Sequence, residues 1–400
     1  MIQIAVMGYG TIGSGVVEVI EKNAEIIRAH VGDEVRVKYV LDLRDFPGDP
    51  IESRVVHDYQ VIANDPEIAI VVETMGGVEP AYTFVKEMLL HGKSVSTSNK
   101  NLVAEKGAEL ISIAKERDLN FQFEASVGGG IPIIRSIYKS LTADVIEEIS
   151  GILNGTTNYM LTKMMEEGSD YETVLKEAQA LGYAERDPSA DVEGYDACRK
   201  IAILTSLISG KQVDFNGIHT EGITKLTPED IRYALAMKKK IRLIASSVRT
   251  GDTYTALVAP FLVGEDHPLY TVNGVFNAVF LHGNMLGDAM FYGSGAGKLP
   301  TASAVVADVV DIAKHHAPNR NIPIQWSAEE LKLRDYKTFS YRFFVRTKAN
   351  EEEAKAAFGE IETVDAGIAG ETAFLTAEMT ETAFEEKAKS LSLINRIRVK

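Results

Sequence analysis

The sequence predicts an α/β protein in three parts: a domain on a parallel sheet, an α+β domain, and a small C-terminal module. The first part is indicated by an apolar strand, a glycine-rich turn, a helical stretch and a second strand within residues 2–43, which form a βαβ unit. An apolar strand at residues 149–153, followed by helical stretches of which one is largely buried, indicates the second. A β-α-β-β-α-β pattern after residue 339 indicates the third.

Composition and charge exclude several classes of function. The 400 residues are 45% apolar and 25% charged, and no window holds 18 uninterrupted apolar residues, so no membrane span is expected. The net charge of −15 repels phosphate backbones and anionic lipid, which argues against nucleic acid and membrane surfaces as partners. The single Cys198 excludes an internal disulfide, and a strand-like start at Ile2 leaves no room for a signal peptide. A cytoplasmic protein is expected.

The turn at residues 8–13 has the pattern Gly-x-Gly-x-x-Gly and follows the first strand directly. Gly8 allows the tight turn, Gly10 lets a pyrophosphate approach the backbone, and Gly13 lets the helix pack closely on the strand. The N–H groups and the positive dipole end of that helix then face the phosphates. A glycine-rich connection in another α/β protein is the alternative, but the βαβ context favours a Rossmann-type dinucleotide-binding domain.

Two residues at the end of the second strand bear on the choice of nucleotide. A carboxylate such as Asp42 accepts hydrogen bonds from the ribose 2′-OH of NAD, whereas an arginine such as Arg44 favours the 2′-phosphate of NADP. Both residue types are present, and Arg44 could equally be a solvated loop cation. The sequence therefore leaves the choice between NAD and NADP open.

A lysine follows a later strand of the same predicted sheet. Residues 68–73 and 94–98 are strand candidates, and Lys100 comes directly after the second of them. Ligands of open α/β sheets lie beyond the carboxyl ends of the strands, so this position favours a functional lysine over a solvated charge.

Two small-residue segments in the middle of the chain allow alternative interpretations. Glu124 precedes the glycines of residues 128–130, where a carboxylate and exposed carbonyls could hold a hard cation, or where a flexible joint could lead to a helix near Pro132. The run Asn154-Gly155-Thr156-Thr157-Asn158 then precedes a predicted helix from Tyr159 to Glu167. This run could bind a carboxylate at a helix N-terminus, or it could be an ordinary helix start capped by a threonine.

Residues 182–200 are the segment richest in ionisable groups. Pro188 and Gly194 mark a loop that leads into a helix, on which Asp196 and Lys200 are four residues apart on one face. Such a pair is usually a surface ion pair, but the apolar residues that follow predict a largely buried helix. A lysine beside a carboxylate at the start of a buried helix is a candidate for proton exchange.

The last part of the chain contains a second glycine-rich loop and the small module. Residues 294–301 form the loop and lead into a predicted helix over residues 302–313. The module has predicted strands or extended segments at 341–347, 362–368, 371–379 and 394–399 and helices at 351–358 and 383–391, which is a ferredoxin-like order.

Four motifs in this order, Asn99-Lys100, Glu124 with the triple glycine, residues 154–158 and residues 185–200, resemble homoserine dehydrogenase over residues 1 to about 314. The tail resembles the ACT regulatory module more weakly, since Thr347-Lys348-Ala349-Asn350 replaces a common Asp-Pro-Gly turn. A working effector sensor and an inert extension therefore both remain open. No aspartate-kinase portion precedes Met1, so the monofunctional form is expected.

The resemblance implies reversible reduction of L-aspartate 4-semialdehyde to L-homoserine by NAD or NADP, in threonine and methionine biosynthesis. It implies Lys200 as the general acid, with Lys100 as the reserve candidate beside the nicotinamide. The substrate-binding residues implied are Asn154, Thr156, Glu185, Asp191 and Asp196. The nucleotide-binding residues implied are Gly8, Gly10, Thr11, Ile12, Gly13, Arg44, Thr97, Lys100 and Gly295. A sodium site is implied at Glu124, Val127, Gly129 and Ile131.

The resemblance also implies an arrangement of domains and a homodimer or larger homo-oligomer. Residues 1–135 are expected to form the dinucleotide-binding domain, completed by a segment near 295–316. Residues 136–294 form the substrate and dimerisation domain, 317–338 a linker, and 339–400 the ACT-like module. Two other classes of function remain. Aspartate-semialdehyde dehydrogenase needs a nucleophilic cysteine, which Cys198 on its helix is unsuited to supply, and a non-catalytic dinucleotide-binding sensor has no need of the carboxylate and lysine cluster.

Overall fold

The structure, a computed structural model, describes residues 1–316 and 320–400. The strands are β1 (Ile2–Met7), β2 (Val35–Leu41), β3 (Val55–Val56), β4 (Ile68–Glu73), β5 (Ser94–Thr97), β6 (Phe121–Gln122), β7 (Ile146–Ile152), β8 (Lys211–Gln212), β9 (His219–Thr220), β10 (Lys240–Thr250), β11 (Thr253–Val263), β12 (Phe276–Gly283), β13 (Gly287–Ser294), β14 (Ser327–Glu330), β15 (Ser340–Thr347), β16 (Ile361–Thr363), β17 (Thr372–Thr376), β18 (Met379–Thr380) and β19 (Leu393–Val399). The α-helices are α1 (Thr11–Lys22), α2 (Ala24–Val31), α3 (Tyr59–Asn64), α4 (Ala81–Leu90), α5 (Lys100–Glu116), α6 (Gly155–Glu167), α7 (Tyr171–Ala180), α8 (Ser189–Val192), α9 (Tyr195–Ser209), α10 (Pro228–Ala236), α11 (Lys298–Lys314), α12 (Glu351–Phe358) and α13 (Glu381–Ala388).

The chain divides into two compact units, and each is built from separate stretches of sequence. The first unit contains residues 1–145, 202–214 and 293–331. The second contains residues 146–201, 215–292 and 332–400.

The first unit is built on a six-stranded parallel sheet with the strand order β3-β2-β1-β4-β5-β6. This is the order of a doubly wound Rossmann-type sheet. β4 is apolar along almost its whole length because the strand is covered on both faces. The carboxyl ends of β1, β2, β4 and β5 lie along one edge of the sheet, where the glycine turn and Lys100 follow β1 and β5 respectively.

One face of this sheet is covered by α1 and α11, which pack closely together. Val16 and Ile20 of α1 and Val305 and Val309 of α11 are buried in the same apolar cluster as the strands β1 and β4. A Cβ on Gly15 would lie 3.0 Å from the Ala302 side chain, so the small residues let the two helices approach each other. Residues distant in sequence therefore share one core.

The second unit is built on a long, mostly antiparallel sheet. β10 and β11 pair along all of their 11 residues, and β7 pairs antiparallel with both β10 and β12. Most residues of β10 and β11 are buried, and the second half of β11, from Ala256 to Val263, is continuously apolar. β7 ends just before α6, so the strand delivers the segment around Asn154 to the start of a helix.

The tail continues this sheet. Within it the strand order is β19-β15-β17-β16, with the apolar faces of α12 and α13 packed on Phe343 and Phe374. β19 also pairs in parallel with β11 through Phe261 and Leu262. Arg398 of β19 is fully buried and donates to the Glu221 and Glu381 carboxylates. Backbone pairing and a buried ion network therefore join the tail to the rest of this unit.

The predicted order of elements is found, with local corrections. β1 occupies residues 2–7 and β4 residues 68–73, as the apolar runs there predict, and the six elements of the tail occur in the predicted order. The helix predicted from Tyr159 begins at Gly155, because Asn154 and not a threonine caps it. Near Pro132 the structure has a π-helical turn at Ser136–Ser140.

The predicted linker at 317–338 begins with three residues that lie outside the described part of the chain, and its remainder contains β14. The four-part division of the chain stays a prediction. Within residues 1–316 and 320–400, no helix combines the length and apolarity needed to cross a membrane.

Candidate active site

The glycine turn between β1 and α1 is shaped by two of its glycines and left open at the third. Gly8 has φ +94°, and a Cβ there would lie 3.1 Å from the Met75 side chain. A Cβ on Gly13 would lie 1.9 Å from the Gly8 carbonyl oxygen, so only glycine lets α1 begin this close to β1. A Cβ on Gly10 would meet no atom within 4 Å among the described residues. Gly8 and Gly13 therefore build the turn, and Gly10 leaves its backbone accessible.

A cavity of about 520 Å³ opens at this turn. It is lined by the turn itself, by the end of β2 and by the loop that follows β4. Thr11 and Ile12 begin α1 at its edge, where Thr11 is exposed and Ile12 half-buried. The volume lies within the range of about 300–1,000 Å³ that is usual for small-molecule sites, and the start of α1 supplies the N–H groups that bind phosphate.

An ion pair at the end of β2 borders the same cavity. Arg44 donates from Nε and Nη2 to the two carboxylate oxygens of Asp42, at 3.0 Å each. The Tyr9 N–H also donates to Asp42, at 2.9 Å. The hydrogen bond from Arg44 outweighs the effect of burial and holds the pKa of the Asp42 carboxyl well below its usual range. The cavity therefore has an ionised carboxylate, paired with an exposed guanidinium, at this end.

Three other residues predicted for the nucleotide lie in the same unit. Thr97 ends β5 and is fully buried, and Lys100 is the first residue of α5. Asn99 caps this helix by accepting a hydrogen bond from the Leu102 N–H at 3.2 Å. Gly295 lies against the triple glycine, where a Cβ on Gly129 would be only 2.4 Å from the Gly295 carbonyl oxygen.

The predicted cation ligands surround a buried carboxylate. Glu124 accepts hydrogen bonds from the Ile134 and Arg135 N–H groups, at 2.8 and 2.7 Å. Burial and the charge of Asp308 raise the pKa of the Glu124 carboxyl to about 7. Gly129 has φ +56°. The carboxylate thus lies beside a turn with a left-handed backbone conformation, which glycine adopts more readily than other residues.

The predicted Val127 and Ile131 complete this group, and both side chains are buried. The Ile131 carbonyl already accepts a hydrogen bond from the Ile133 N–H at 2.9 Å. Within the described ranges there is no cluster of three or more His, Cys, Asp or Glu side chains suited to a metal. Any cation here would depend on one carboxylate and on backbone carbonyls.

In the second unit, four of the predicted polar residues form one hydrogen-bonded cluster. Lys200 Nζ donates to Asp196 Oδ2 and to the Leu153 carbonyl, at 2.7 Å each. Asn154 Nδ2 donates to Asp191 Oδ1 at 2.7 Å and to Asp196 Oδ2 at 2.9 Å. The end of β7 supplies Asn154, α8 supplies Asp191, and one face of α9 supplies the other two. The cluster combines an ammonium, two carboxylates and an amide at fixed positions.

Asn154 has a double role that the sequence did not indicate. Its Oδ1 accepts from the Thr157 N–H at 2.9 Å and so caps α6, while its Nδ2 holds the two carboxylates together. Thr156, the other residue predicted here, is buried and donates to the Tyr183 carbonyl at 2.6 Å. The cluster is thereby fixed to the start of a helix.

Glu185 lies apart from the buried cluster. Its side chain is exposed, and its backbone carbonyl accepts a hydrogen bond from Gln179 Nε2 at 3.0 Å. Asp187 and Ser189, which follow it, are also exposed.

Sequence reasoning missed a buried carboxylate, Glu73, at the end of β4. It is completely inaccessible to solvent and accepts hydrogen bonds from Thr97 and from the loop that follows β4. An acidic residue that ends an otherwise apolar strand was the available signal, and the sequence interpretation treated it only as part of the strand.

Comparison with known proteins agrees with this arrangement. Residues 8–124 match the model of the homoserine dehydrogenase NAD-binding domain, and residues 132–310 match the homoserine dehydrogenase model. A homoserine dehydrogenase of Bacillus subtilis (strain 168) is 43% identical over 321 residues, which cover 78% of this chain and 73% of the relative.

Two solved structures are similar as well. A homoserine dehydrogenase from Thiobacillus denitrificans superposes with a TM-score of 0.90 at 33% identity, over 100% of this chain and 98% of that one. A hyperthermophilic archaeal homoserine dehydrogenase in complex with NADPH gives a TM-score of 0.66 at 28% identity, over 78% of this chain and 97% of that one. The chain belongs to the homoserine dehydrogenase family of NAD(P)-dependent oxidoreductases that act on a CH–OH group.

Proposed function

We propose that Lys200 is the general acid when this enzyme reduces L-aspartate 4-semialdehyde to L-homoserine. A bound nicotinamide would supply the hydride for the aldehyde carbon, and the aldehyde oxygen then needs a proton. The observation that carries the proposal is the pair of 2.7 Å hydrogen bonds from Lys200 Nζ to Asp196 and to the Leu153 carbonyl. These bonds hold an ammonium at a fixed position, as proton transfer requires. In the reverse direction the neutral amine accepts the proton of the alcohol.

The substrate is held by the groups around this lysine. The substrate's ammonium group is attracted to the carboxylates of Asp191 and Asp196, which Asn154 holds together. Its carboxylate suits the start of α6, where Thr156 and the N–H groups of a helix N-terminus lie. The exposed Glu185 contributes a further carboxylate toward the substrate from the solvent side.

The nucleotide occupies the cavity at the glycine turn. Gly8, Gly10 and Gly13, with Thr11 and Ile12, receive the pyrophosphate. Arg44, which lines this cavity, would suit the 2′-phosphate of NADP, and Asp42 beside it would suit the ribose 2′-OH of NAD. The other nucleotide contacts are proposed for Thr97, Lys100 and Gly295. Lys100 is the alternative proton donor and lies at the nicotinamide end.

The oxygen donors available at Glu124, Val127, Gly129 and Ile131 fit a sodium ion in part. A hard monovalent cation takes oxygen ligands, and one buried carboxylate beside a glycine turn supplies them. Both Glu124 oxygens already accept an N–H, so the ion would share the carboxylate with the backbone of residues 134 and 135. Such an ion would fix the conformation of the triple-glycine turn next to Gly295.

The tail is proposed to be an ACT-like module that serves assembly or regulation in a cytoplasmic, monofunctional homodimer or larger homo-oligomer. Its strand order and its two helices on one face support the likeness, and every residue proposed for chemistry precedes it. Light scattering of the full chain, together with an activity titration with threonine, tests both roles. A monomer whose activity threonine does not change would contradict both.

The decisive experiment follows the absorbance of NADH or NADPH during incubation with L-aspartate 4-semialdehyde, and in reverse with L-homoserine and the oxidised nucleotide. We expect turnover in both directions and none with acetaldehyde, which lacks the charged end that the cluster binds. A protein that bound the nucleotide tightly without turnover would instead be a sensor.

A further inference from the structure

The parallel sheet of the first unit contains a buried carboxylate at the edge that carries the nucleotide cavity. Glu73 is the last residue of β4, between Met7 of β1 and Thr97 of β5 in the register of the sheet. Its side chain has no accessible surface. A carboxylate buried this completely is costly unless hydrogen bonds satisfy it. Its partners therefore show which segments the residue holds in place.

The two oxygens of Glu73 hold two different loops. Oε1 accepts from the Met75 N–H at 2.6 Å and from the Gly76 N–H at 3.3 Å, which fixes the loop after β4. Oε2 accepts from the Thr97 hydroxyl at 2.5 Å, which fixes the end of β5. Burial raises the pKa of the Glu73 carboxyl, and these donors oppose that effect.

The loop after β4 connects Glu73 with the glycine turn. Thr74 Oγ1 donates to the Gly8 carbonyl at 2.9 Å, and the Met75 side chain lies 3.1 Å from where a Cβ on Gly8 would be. Both residues also line the nucleotide cavity. A displaced loop would therefore displace the turn that receives the pyrophosphate.

The end of β5 connects Glu73 with Lys100. Thr97 Oγ1 also accepts a hydrogen bond from the Asn99 N–H at 2.9 Å, and Asn99 caps α5. Asn99 Nδ2 donates back to the Gly77 carbonyl at 2.5 Å, which closes a ring of hydrogen bonds between the two loops. Lys100 is the residue immediately after this cap.

We propose that Glu73 is a positioning residue, which sets the place of Lys100 and of the nucleotide loop through Thr97, Met75 and Gly76. The proposal rests on the proposed function, since it assigns Lys100 to the nicotinamide side. Glu73 itself touches neither substrate nor nucleotide. Its effect on rate arises from geometry, where a displacement of about 1 Å can cost a factor of about 100.

The first test compares Glu73→Ala with Glu73→Gln and with a matched control, Asp65→Ala. Asp65 lies before the other end of β4 and also accepts a backbone N–H, that of Glu67 at 2.9 Å. We expect Glu73→Ala to lower kcat about 10- to 100-fold. Glu73→Gln should stay within about threefold of wild type, because its amide can accept from Met75 and donate to Thr97. Asp65→Ala should leave kcat unchanged, although its loss of thermal stability should be similar to that of Glu73→Ala.

A double-mutant cycle separates positioning from a merely structural role. If Glu73 acts through Lys100, Glu73→Ala should lower kcat less than about threefold further in a Lys100→Ala background. Independent, multiplying losses would overturn the proposal. If Glu73→Ala does not fold, Glu73→Met removes the same hydrogen bonds with little change in side-chain length and should give the same kinetic pattern.

Nucleotide binding keeps this inference separable from the proposed function. NADPH fluorescence titration should give a Kd about tenfold weaker for Glu73→Ala than for wild type, whether or not the wild type turns over aspartate semialdehyde. A wild type without turnover would contradict the proposed function alone. A Glu73→Ala variant with wild-type Kd and kcat would contradict the positioning role alone.

Discussion

The guanidinium of Arg44 forms a bidentate ion pair with the Asp42 carboxylate, with two N–O distances of 3.0 Å, beside the cavity at the glycine turn. The Arg44 side chain is 62% exposed, whereas that of Asp42 is 11% exposed. The cation is thus placed outside and the carboxylate inside. A ribose 2′-phosphate would meet the guanidinium first, and a 2′-hydroxyl would have to share Asp42 with it.

Arg44→Ala should weaken NADP(H) binding about tenfold or more and change NAD(H) binding less than about threefold, because it removes the cation and leaves Asp42 to repel a 2′-phosphate. Fluorescence titration with NADH and NADPH measures both Kd values. Arg36→Ala, which removes an exposed arginine of β2, serves as the control. Equal losses for the two nucleotides would show that Arg44 does not discriminate between them.

Gly10→Ala and Gly13→Ala should separate ligand binding from folding. A Cβ on Gly10 meets nothing within 4 Å of the described atoms, so Gly10→Ala should melt at nearly the wild-type temperature yet bind NADPH at least about tenfold more weakly. Gly13→Ala places a Cβ 1.9 Å from the Gly8 carbonyl oxygen and should lower thermal stability and binding together. Normal NADPH binding by Gly10→Ala would show that the pyrophosphate does not bind at this turn.

Lys200→Arg should lower kcat about 10²- to 10⁴-fold with an unchanged nucleotide Kd. Arginine keeps a positive charge beside the buried Asp196, but its guanidinium does not release a proton in a protein. Stopped-flow measurement of nucleotide oxidation checks the chemical step. Lys355→Arg is the matched control, since it forms the same i, i+4 pair with Glu351 on an exposed helix. If the variant kept more than about half of the wild-type turnover, the role of proton donor would pass to Lys100 or to water.

Glu185→Gln should raise the KM for aspartate semialdehyde, lower kcat/KM about tenfold and leave the nucleotide Kd unchanged. The physical reason is loss of one carboxylate that attracts the substrate ammonium group. Steady-state kinetics at saturating nucleotide measures the change, with the exposed Glu172→Gln as a control. A parallel loss of nucleotide affinity would place Glu185 in the cofactor site.

Glu221→Gln should destabilise the protein at neutral pH and much less in acid. Burial opposes ionisation of Glu221, but hydrogen bonds from His219 and Arg398 and the charges of Arg398 and Arg396 outweigh it and lower the carboxyl pKa well below its usual range. A carboxylate with a lowered folded-state pKa stabilises the fold fully above about pH 5 and loses that contribution as the pH falls below about 4.

Urea unfolding of the wild type and of Glu221→Gln at several pH values measures this difference. The difference in unfolding free energy should be about 2 kcal/mol from pH 6 to 8, a modest value because Glu221 is partly exposed. This difference should shrink toward zero in acid. Glu362→Gln, in an exposed pair with Arg342, should show almost no difference at any pH. A constant difference from pH 8 to 3.5 would mean that packing rather than charge accounts for the effect.

The elements that sequence could locate are those whose residue pattern is decided locally. β4 was predicted to the residue, because a parallel strand covered on both faces is apolar throughout. Asp196 and Lys200 were paired correctly, because a spacing of four residues brings two side chains together on any helix. The start of α6 was misplaced, because both Asn154 and the threonines after it are good caps.

Contacts between distant residues were beyond the same reasoning. The amide of Asn154 meets Asp191, 37 residues later, and Arg398 meets Glu221, 177 residues earlier. No periodicity in the sequence relates such pairs, since tertiary packing alone brings them together. The contact between Glu73 and Thr97, 24 residues later on the neighbouring strand, was missed for the same reason.

The interrupted course of the first unit has a consequence for biosynthesis. The apolar face of α1 is covered by α11, whose residues from Ala302 to Ile312 emerge from the ribosome only after all of residues 146–292. At roughly 5–20 residues per second, the intervening segment takes about 7–30 s to synthesise. Throughout that interval Val16 and Ile20 lack their native cover, so the nascent chain is a substrate for chaperones. A fragment that ends at residue 145 should aggregate unless α11 is supplied as a separate peptide.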